Sequence, residues 1–445
     1  MQRHVLFLFF ITMCKVSAAY ADNVAIIGGG AAGLATAYLT EEAHNVTVFE
    51  AQDQLGGNAK TENINRNGKQ VAVDAGAEFF NRASYPNFIK LLELLVVTTT
   101  TFALAFNFYD VNSRKHMVLP PIHDNTIEFN SLRPSNLFRL IQLKWMMYKG
   151  KNLVDNKVYN VTLKEFLDSI WVTENFKDNF LYPLLSAAWG VSIEDIKEVS
   201  VYQGLKYFID GERANNEWME ITDGFGSYIR ALQAKLKNTE IQLNSPIKSI
   251  TEEAGQYRVT KETGESALFD HVIFAVNPKV AGKILKDIPS LDKLVHKFNN
   301  VKTFDTKIVL SEAKGENLRF MPHTQPQIIN IRWNGKAAAT TMCKNWKTGD
   351  ELSPVLKTWV TYDIRAKDDA GSAMPEDPYA VYNFEHTHMN MAYYKAYKAA
   401  QKQEGKKGLW FPGIHENDSH ESAISAAVEV ARRLAPKSSR LVAFK

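Results

Sequence analysis

The chain has 445 residues, 45% of them hydrophobic and 23% charged, a composition that gives ample core and excludes a disordered or fibrous protein. Its 52 basic and 49 acidic residues leave a net charge of +3, so nothing in the balance calls for nucleic acid, and a small molecule is the expected partner. The length suits two or three domains.

At the N-terminus, Arg3 and His4, an apolar run over residues 5–13 and Ala19-Tyr20-Ala21 have the layout of a signal peptide, with residues 1–21 removed and Asp22 first in the mature chain. A disordered leader or a frayed strand is the competing reading. The run is too short to span a bilayer, so no integral membrane segment is expected in the mature chain. The protein is expected to be exported, periplasmic or secreted, if the signal is real and cytoplasmic otherwise. Removal of Cys14 with the leader leaves Cys343 alone, which excludes an internal disulfide and a cysteine-rich metal site.

Residues 24–27 predict a short apolar strand, 33–40 a helix and 46–49 a second strand, the opening of a β-α-β unit. Between the first strand and the helix lies Gly28-Gly29-Gly30-Ala31-Ala32-Gly33. In that context Gly28 permits a tight turn, Gly30 lets backbone approach a pyrophosphate, and Gly33 allows close helix-strand packing. Glu50, followed by Ala51, ends the second strand, where a carboxylate can accept both hydroxyls of a ribose and would repel a 2′-phosphate. These features predict a dinucleotide site, without separating FAD from NAD.

Two more glycine-bearing segments follow, Gly56-Gly57-Asn58 and Gly76-Ala77-Glu78. Four threonines at 98–101 lead into Phe102, Leu104, Phe106 and Phe108, whose alternation predicts one half-buried strand. A helix with a broad apolar face is expected over about 133–148, with further helices at 163–170 and 176–185. Short strands return between 241 and 276, then at 307–310, 328–333 and 356–362. The chain closes on a loop at 412–419 and a helix over 421–434. His386, His388, His415 and His420 have no acidic or cysteine partner at ligand spacing, so no metal is expected.

Taken with Trp410-Phe411-Pro412-Gly413-Ile414 and His420-Glu421-Ser422-Ala423-Ile424, these segments resemble the flavin amine oxidases, and among them bacterial NAD/FAD-binding, amine-oxidase-like proteins. The resemblance extends over most of the mature chain, through Ser245-Pro246-Ile247, residues 270–275 and residues 182–189. It implies FAD as cofactor, with Ile247 on an adenine-contacting strand, Gly56, Gly57, Gly76, Ala77 and Glu78 on the flavin side, and Gly413, Ile414, His420, Glu421, Ser422 and Ile424 in a second FAD segment. Asn58 stands where the family usually carries arginine, which removes one charge-assisted contact. Lys307, in Thr306-Lys307-Ile308-Val309-Leu310, resembles the family's catalytic lysine that holds a water beside the flavin; a solvated lysine at a strand edge is the competing reading.

The expected architecture is therefore α/β: a discontinuous Rossmann-type FAD-binding domain (22–90, 215–290 and 400–436) with an interleaved α+β substrate domain (91–214 and 291–399). The resemblance implies an FAD-dependent oxidoreductase moving a hydride from an amine or other small organic substrate to flavin N5. The alternatives are an FAD-dependent desaturase or isomerase acting on an apolar, lipid-like substrate, and a flavin-binding protein without turnover.

Overall fold

The computed structural model describes residues 21–123, 126–213, 217–314, 328–344, 347, 353–367 and 371–444. The expected leader, apart from Ala21, and the domain boundary expected at 214–215 lie outside the described residues.

Strand β1 (Asn23–Ile27) buries Val24, Ala25, Ile26 and Ile27 together, the continuous apolar run that a strand covered on both faces requires. Helix α1 (Ala31–Thr40) is buried from Ala32 to Thr40, and β2 (Asn45–Phe49) returns parallel to β1, setting Val24 beside Val46 and Ile26 beside Val48. Strand Thr239–Gln242 flanks β2, and His271–Phe274 flanks β1 with Leu409–Trp410 outside it; every pairing is parallel. One sheet thus takes strands from three separate stretches of chain. Helix His420–Leu434, from near the C-terminus, packs against α1, from near the N-terminus.

A second, seven-stranded sheet runs in the order Ala380–Thr387, Thr303–Glu312, Val355–Trp359, Ala338–Cys343, Ile328–Trp333, Ala105–Asp110, Lys115–Leu119. It is antiparallel except where Ile328–Trp333 meets Ala105–Asp110. The hairpin Thr61–Arg66/Lys69–Asp74, which in the chain joins the first β-α-β unit to the rest, packs Ile64, Val71 and Val73 on Ile308, Leu310, Val355 and Phe384 of this sheet. The α/β class and the interleaved second half match the sequence expectation.

Two local expectations change. The threonine-led segment is two strands: Thr99–Ala103 pairs with Glu217–Ile221, and Ala105–Asp110 joins the seven-stranded sheet. Leu104, 1% exposed, is where the chain leaves one partner for the other while keeping its inward alternation. The long helix, α3 (Pro134–Asp155), runs a further two turns past the expected end at 148. Its buried face continues through Gly150 and Val154, and a Cβ at Gly150 would lie 2.4 Å from the Leu205 side chain, so the glycine admits helix Val201–Arg213 at close range.

Gly33 sets how closely α1 sits on the sheet. A Cβ there would stand 1.9 Å from the Gly28 carbonyl oxygen and 3.2 Å from the Ala275 Cβ, neither of which can rotate away. Gly33→Ala is expected to cost about 1–3 kcal/mol of stability, read as a lowered denaturant midpoint at unchanged m-value.

Candidate functional site

A cavity of about 580 Å³ is lined by residues of both sheets and of the loops between them. That volume is within the usual range for cofactor and small-ligand pockets. Its first wall is the glycine loop after β1. Gly28, Gly30, Ala31 and Ala32 line it, and Gly30, the N-cap of α1, offers no side-chain hydrogen bond to the helix start. The first-turn N–H groups, which no helix can satisfy internally, are left as an anion site backed by the helix dipole. Gly33 does not line the cavity; it packs beneath.

At the end of β2, Glu50 is 8% exposed and also lines the cavity. Its Oε2 accepts from Gly29 N–H at 2.7 Å and its Oε1 from Gln52 N–H at 2.8 Å. A carboxylate has about four acceptor sites, so this one is aimed by two amides and keeps capacity for ribose hydroxyls. Ala51, its neighbour, is exposed and away from the lining.

Gly56, Gly57 and Asn58 form the facing loop. A Cβ on Gly30 would meet only the Gly57 Cα, at 3.8 Å, and one on Gly57 (φ +56°) would meet the Gly30 Cα at 3.3 Å, so two bare backbones approach each other closely at the cavity wall. Behind it, Gly76, Ala77 and Glu78 line the cavity because Gly76 lies on the Asn58 carbonyl, where a Cβ would be 1.9 Å away. Ala77 N–H donates to that same oxygen at 3.1 Å. Gly413 closes the ring, with Val276 backbone atoms 2.3 and 2.4 Å from its notional Cβ.

The C-terminal segment divides in a way its sequence does not disclose. His420 lines the cavity, boxed by the rings of Phe88, Phe225 and Tyr228. Burial, then the nearby His415, pushes its pKa down to about 4, so the imidazole is neutral at neutral pH. Its Nε2 has no hydrogen-bond partner among the described residues. Glu421 points elsewhere: its carboxylate accepts from the N–H groups of Asn87 and Phe88 at 3.0 and 2.9 Å, holding the start of α2 (Pro86–Leu95). Ser422 N–H is taken by the capping Ser419 hydroxyl at 3.2 Å, and Ile414 and Ile424 are core residues. Ile247, on an antiparallel strand, packs on the main hydrophobic core rather than the cavity.

Lys307 is not at the cavity. It sits in strand Thr303–Glu312 next to Ile308, which does line the cavity, and strand alternation turns the lysine to the other face. The lysine on the wall is Lys357, from the adjacent strand Val355–Trp359, its side chain 1% exposed. Its Nζ donates to the Gly76 carbonyl at 2.8 Å and to Glu78 Oε2 at 3.0 Å. Burial pushes its pKa down to about 7, against the opposing pull of Asp74. Lys344, also wholly buried, pairs with the other oxygen of Glu78, and burial together with Lys357 holds it well below the ordinary lysine range. The only sequence signal for Lys357 was a charge inside an apolar strand, a signal Lys307 shares.

Above the lysine the walls turn aromatic. Phe106, Trp189, Tyr207, Phe208, Trp359 and Phe384 line this part. Trp189 stands edge-on to Tyr207 at 6.3 Å, and Phe208 is stacked on Phe106 at 6.5 Å. His386 Nε2 bonds the Thr306 hydroxyl and His388 Nε2 the Asp195 carbonyl, and among the described residues no three His, Cys, Asp or Glu side chains are grouped to hold a metal.

A flavin dinucleotide fits these residues: the uncapped helix start, the bare backbones of Gly30 and Gly57, the aimed Glu50 and the unpartnered His420 nitrogen all lie on one cavity.

Residues 31–309 match the model of the flavin containing amine oxidoreductase family. The AofH protein of Mycobacterium tuberculosis, provisionally named a flavin-containing monoamine oxidase, is 23% identical over 285 residues, covering 60% of this chain and 60% of its own length. Among solved structures, the cyclohexylamine oxidase of Brevibacterium oxydans is similar with a TM-score of 0.64 at 15% identity, over 93% of this chain and 99% of that one. The conjugated-linoleic-acid-producing (CLA-producing) fatty acid isomerase of P. acnes gives 0.65 at 15% identity, over 92% and 98%. At such identities the structural likeness shows the fold alone.

Because Gly30 has open space where Gly33 has backbone, the two separate binding from folding. Gly30→Val is expected to leave the unfolding midpoint close to wild type while the purified protein loses its flavin absorbance, measured by visible spectroscopy beside a denaturant titration.

Proposed function

The chain belongs to the flavin-containing amine oxidoreductases, and on that premise we propose that it takes a hydride from the carbon beside an amine nitrogen of a small organic substrate. When bound, the FAD supplies the hydride acceptor at N5 and passes two electrons to a second acceptor. The α1 first turn with Gly28 and Gly30 would hold its pyrophosphate, and Glu50 a ribose. Gly57, Asn58, Gly76, Ala77, Glu78, Gly413 and His420 would surround the remainder.

The observation that carries the reading is Lys357: a lysine on the cavity wall, anchored at Nζ by Gly76 and Glu78, and depressed to about 7 by burial. Most lysines are charged at neutral pH and cannot accept a proton; this one is neutral for about half the molecules there. Its free electron pair can take a proton at Nζ from an ammonium substrate or from a bound water. Glu78 stabilises the resulting charge, and the aromatic walls keep bulk water from competing. The neutral His420 adds a ring nitrogen without adding charge.

A second reading is favoured by one feature. The wall formed by Phe106, Trp189, Tyr207 and Phe208 contains no charged side chain, which suits an apolar chain and hence desaturation or isomerisation. Anaerobic mixing with a panel of primary amines, secondary amines and unsaturated fatty acids, with the products identified by mass spectrometry and NMR, decides between them: a dehydrogenated substrate bleaches the flavin absorbance, and an isomerised one shows a moved double bond with the flavin left oxidised. Conversion of fatty acids and of no amine would replace the first reading with the second.

Lys357 gains its electron pair as pH rises through its pKa, so reductive kcat/KM is expected to climb about tenfold per unit below pH 7 and level off above it. Lys357→Met should lower the rate by about 10²-fold or more and remove this rise, while Lys307→Met leaves both unchanged. Stopped-flow flavin reduction across pH 5.5–9 is the measurement.

A further inference from the structure

The lysines are not spread evenly along the chain. Residues 278–302 and 391–407 together carry eleven lysines, no arginine and three acids, while the remaining residues hold more acids than bases. In space the two segments meet: helix Pro278–Ile284 packs on Asp292–Asn299, and that helix packs on Met391–Gln403. The inward side chains of this layer, among them Ala281, Leu294, Phe298, Tyr393 and Ala400, are buried, which leaves the lysines outside. Lys283 and Lys286 at the first helix and Lys293 and Lys297 on the second are exposed. Lys395, Lys398 and Lys402, three and four residues apart, make one exposed stripe on the third.

Nearby acids do not cancel this charge. Asp287 and Asp292 lie together in the turn between the first two helices, and Glu404 turns inward to accept the Phe411 N–H at 3.0 Å. Even counting Glu252, Asp305, Glu385 and Glu429 at the rim, lysines outnumber acids eleven to seven. Among the described residues only Lys407 of the eleven is in an ion pair, with Glu252 at 3.4 Å. The chemistry of the face selects its partner. These segments expose no large apolar side chain, so they have nothing to insert into a bilayer and nothing to seal a permanent protein interface. They also lack arginine and exposed aromatic rings, the groups that grip phosphates bidentately and stack on bases, which disfavours nucleic acid. An acidic protein surface, met by mobile and hydrated ammonium groups in brief, salt-sensitive encounters, suits what is present.

The inner side of the same layer is cavity wall, since Val280 of the first helix and Tyr393 of the third line the cavity. A partner on the outer side is separated from that wall by one helix, roughly 10–12 Å across. We propose that this three-helix face docks an acidic one-electron carrier protein, the second acceptor that reoxidises the flavin. The hydride taken up at N5 then departs as two electrons, passed one at a time to two carrier molecules in succession, and one proton, which goes to solvent. The inference rests on the flavin chemistry of the family and not on which substrate reduces it.

The test uses the full-length holoprotein, its flavin photoreduced anaerobically without substrate, mixed by stopped flow with oxidised plastocyanin, an acidic copper carrier, or with cytochrome c, a basic haem carrier. Plastocyanin reduction is expected to be at least about tenfold faster than that of cytochrome c at low salt, and to lose this lead as salt is raised. Lys297→Glu combined with Lys395→Glu should slow it about tenfold or more. Flavin content, thermal midpoint and reoxidation by benzoquinone, a small uncharged acceptor, should keep wild-type values in the double variant, because both side chains face outward. Plastocyanin reduction that is independent of salt, no faster than that of cytochrome c, or unchanged in the double variant overturns the proposal. If the variant instead loses binding to phosphatidylglycerol vesicles, to duplex DNA or to a second copy of the chain while plastocyanin reduction stays at the wild-type rate, the face serves that occupant and the proposal fails.

Discussion

Glu78 holds two buried lysines, one on each carboxylate oxygen, and the site depends on that arrangement. The acid comes from the loop after the joining hairpin; Lys344 and Lys357 come from the seven-stranded sheet and its end. A buried cation costs several kcal/mol unless paired, and Glu78 supplies the pair to whichever lysine is protonated, which favours the register that brings all three together. Asp74, which accepts from the Thr61 hydroxyl and the Phe225 N–H, is a second buried carboxyl at the same junction, its pKa raised by burial. The same burial that makes the cluster demanding lowers Lys357 to about 7. Structural registration of the two halves and the proton-accepting capacity of the wall therefore have one origin.

Around that cluster, the cavity is built by backbone meeting backbone. Gly28 lies on the Ala275 carbonyl, Gly76 on that of Asn58 and Gly413 on Val276, each at a distance no side chain allows. Segments remote in sequence can reach one another this way only where glycine stands. Gly30 differs, because a Cβ there would meet nothing nearer than 3.8 Å. The other glycines thus let the walls close, and Gly30 keeps the helix start bare.

Much of this was legible because it is local. The β1-α1-β2 unit, the glycine loop and Glu50 are adjacent in the chain, and the spacing of a β-α-β turn leaves them few places to go. What was not legible depended on contacts far along the chain. Glu421 sits beside His420 in the sequence yet serves α2, more than 300 residues away, so no local pattern could separate the two. The lysines were ambiguous for another reason. Lys357 lies in a strand buried at four of its five positions, where alternation no longer tells which side meets a cavity, and Lys307 lies in the half-buried first half of a strand whose second half is buried throughout, so neither sequence context separates the two. For α3 the apolar residues on both sides blurred the pattern, and the exposed ones became distinguishable from core only once Gly150 had placed the neighbouring helix.

The packing of α1 on helix His420–Leu434 bears on when the molecule matures. Synthesis runs from N to C, so the loop that would grip a pyrophosphate emerges well before the helix that covers α1 and the strand Leu409–Trp410. Until then α1 has an uncovered apolar flank and the parallel sheet lacks an edge. A nascent chain at that stage would carry the glycine fingerprint without a completed pocket, so cofactor capture waits on the segment from Leu409 to Leu434.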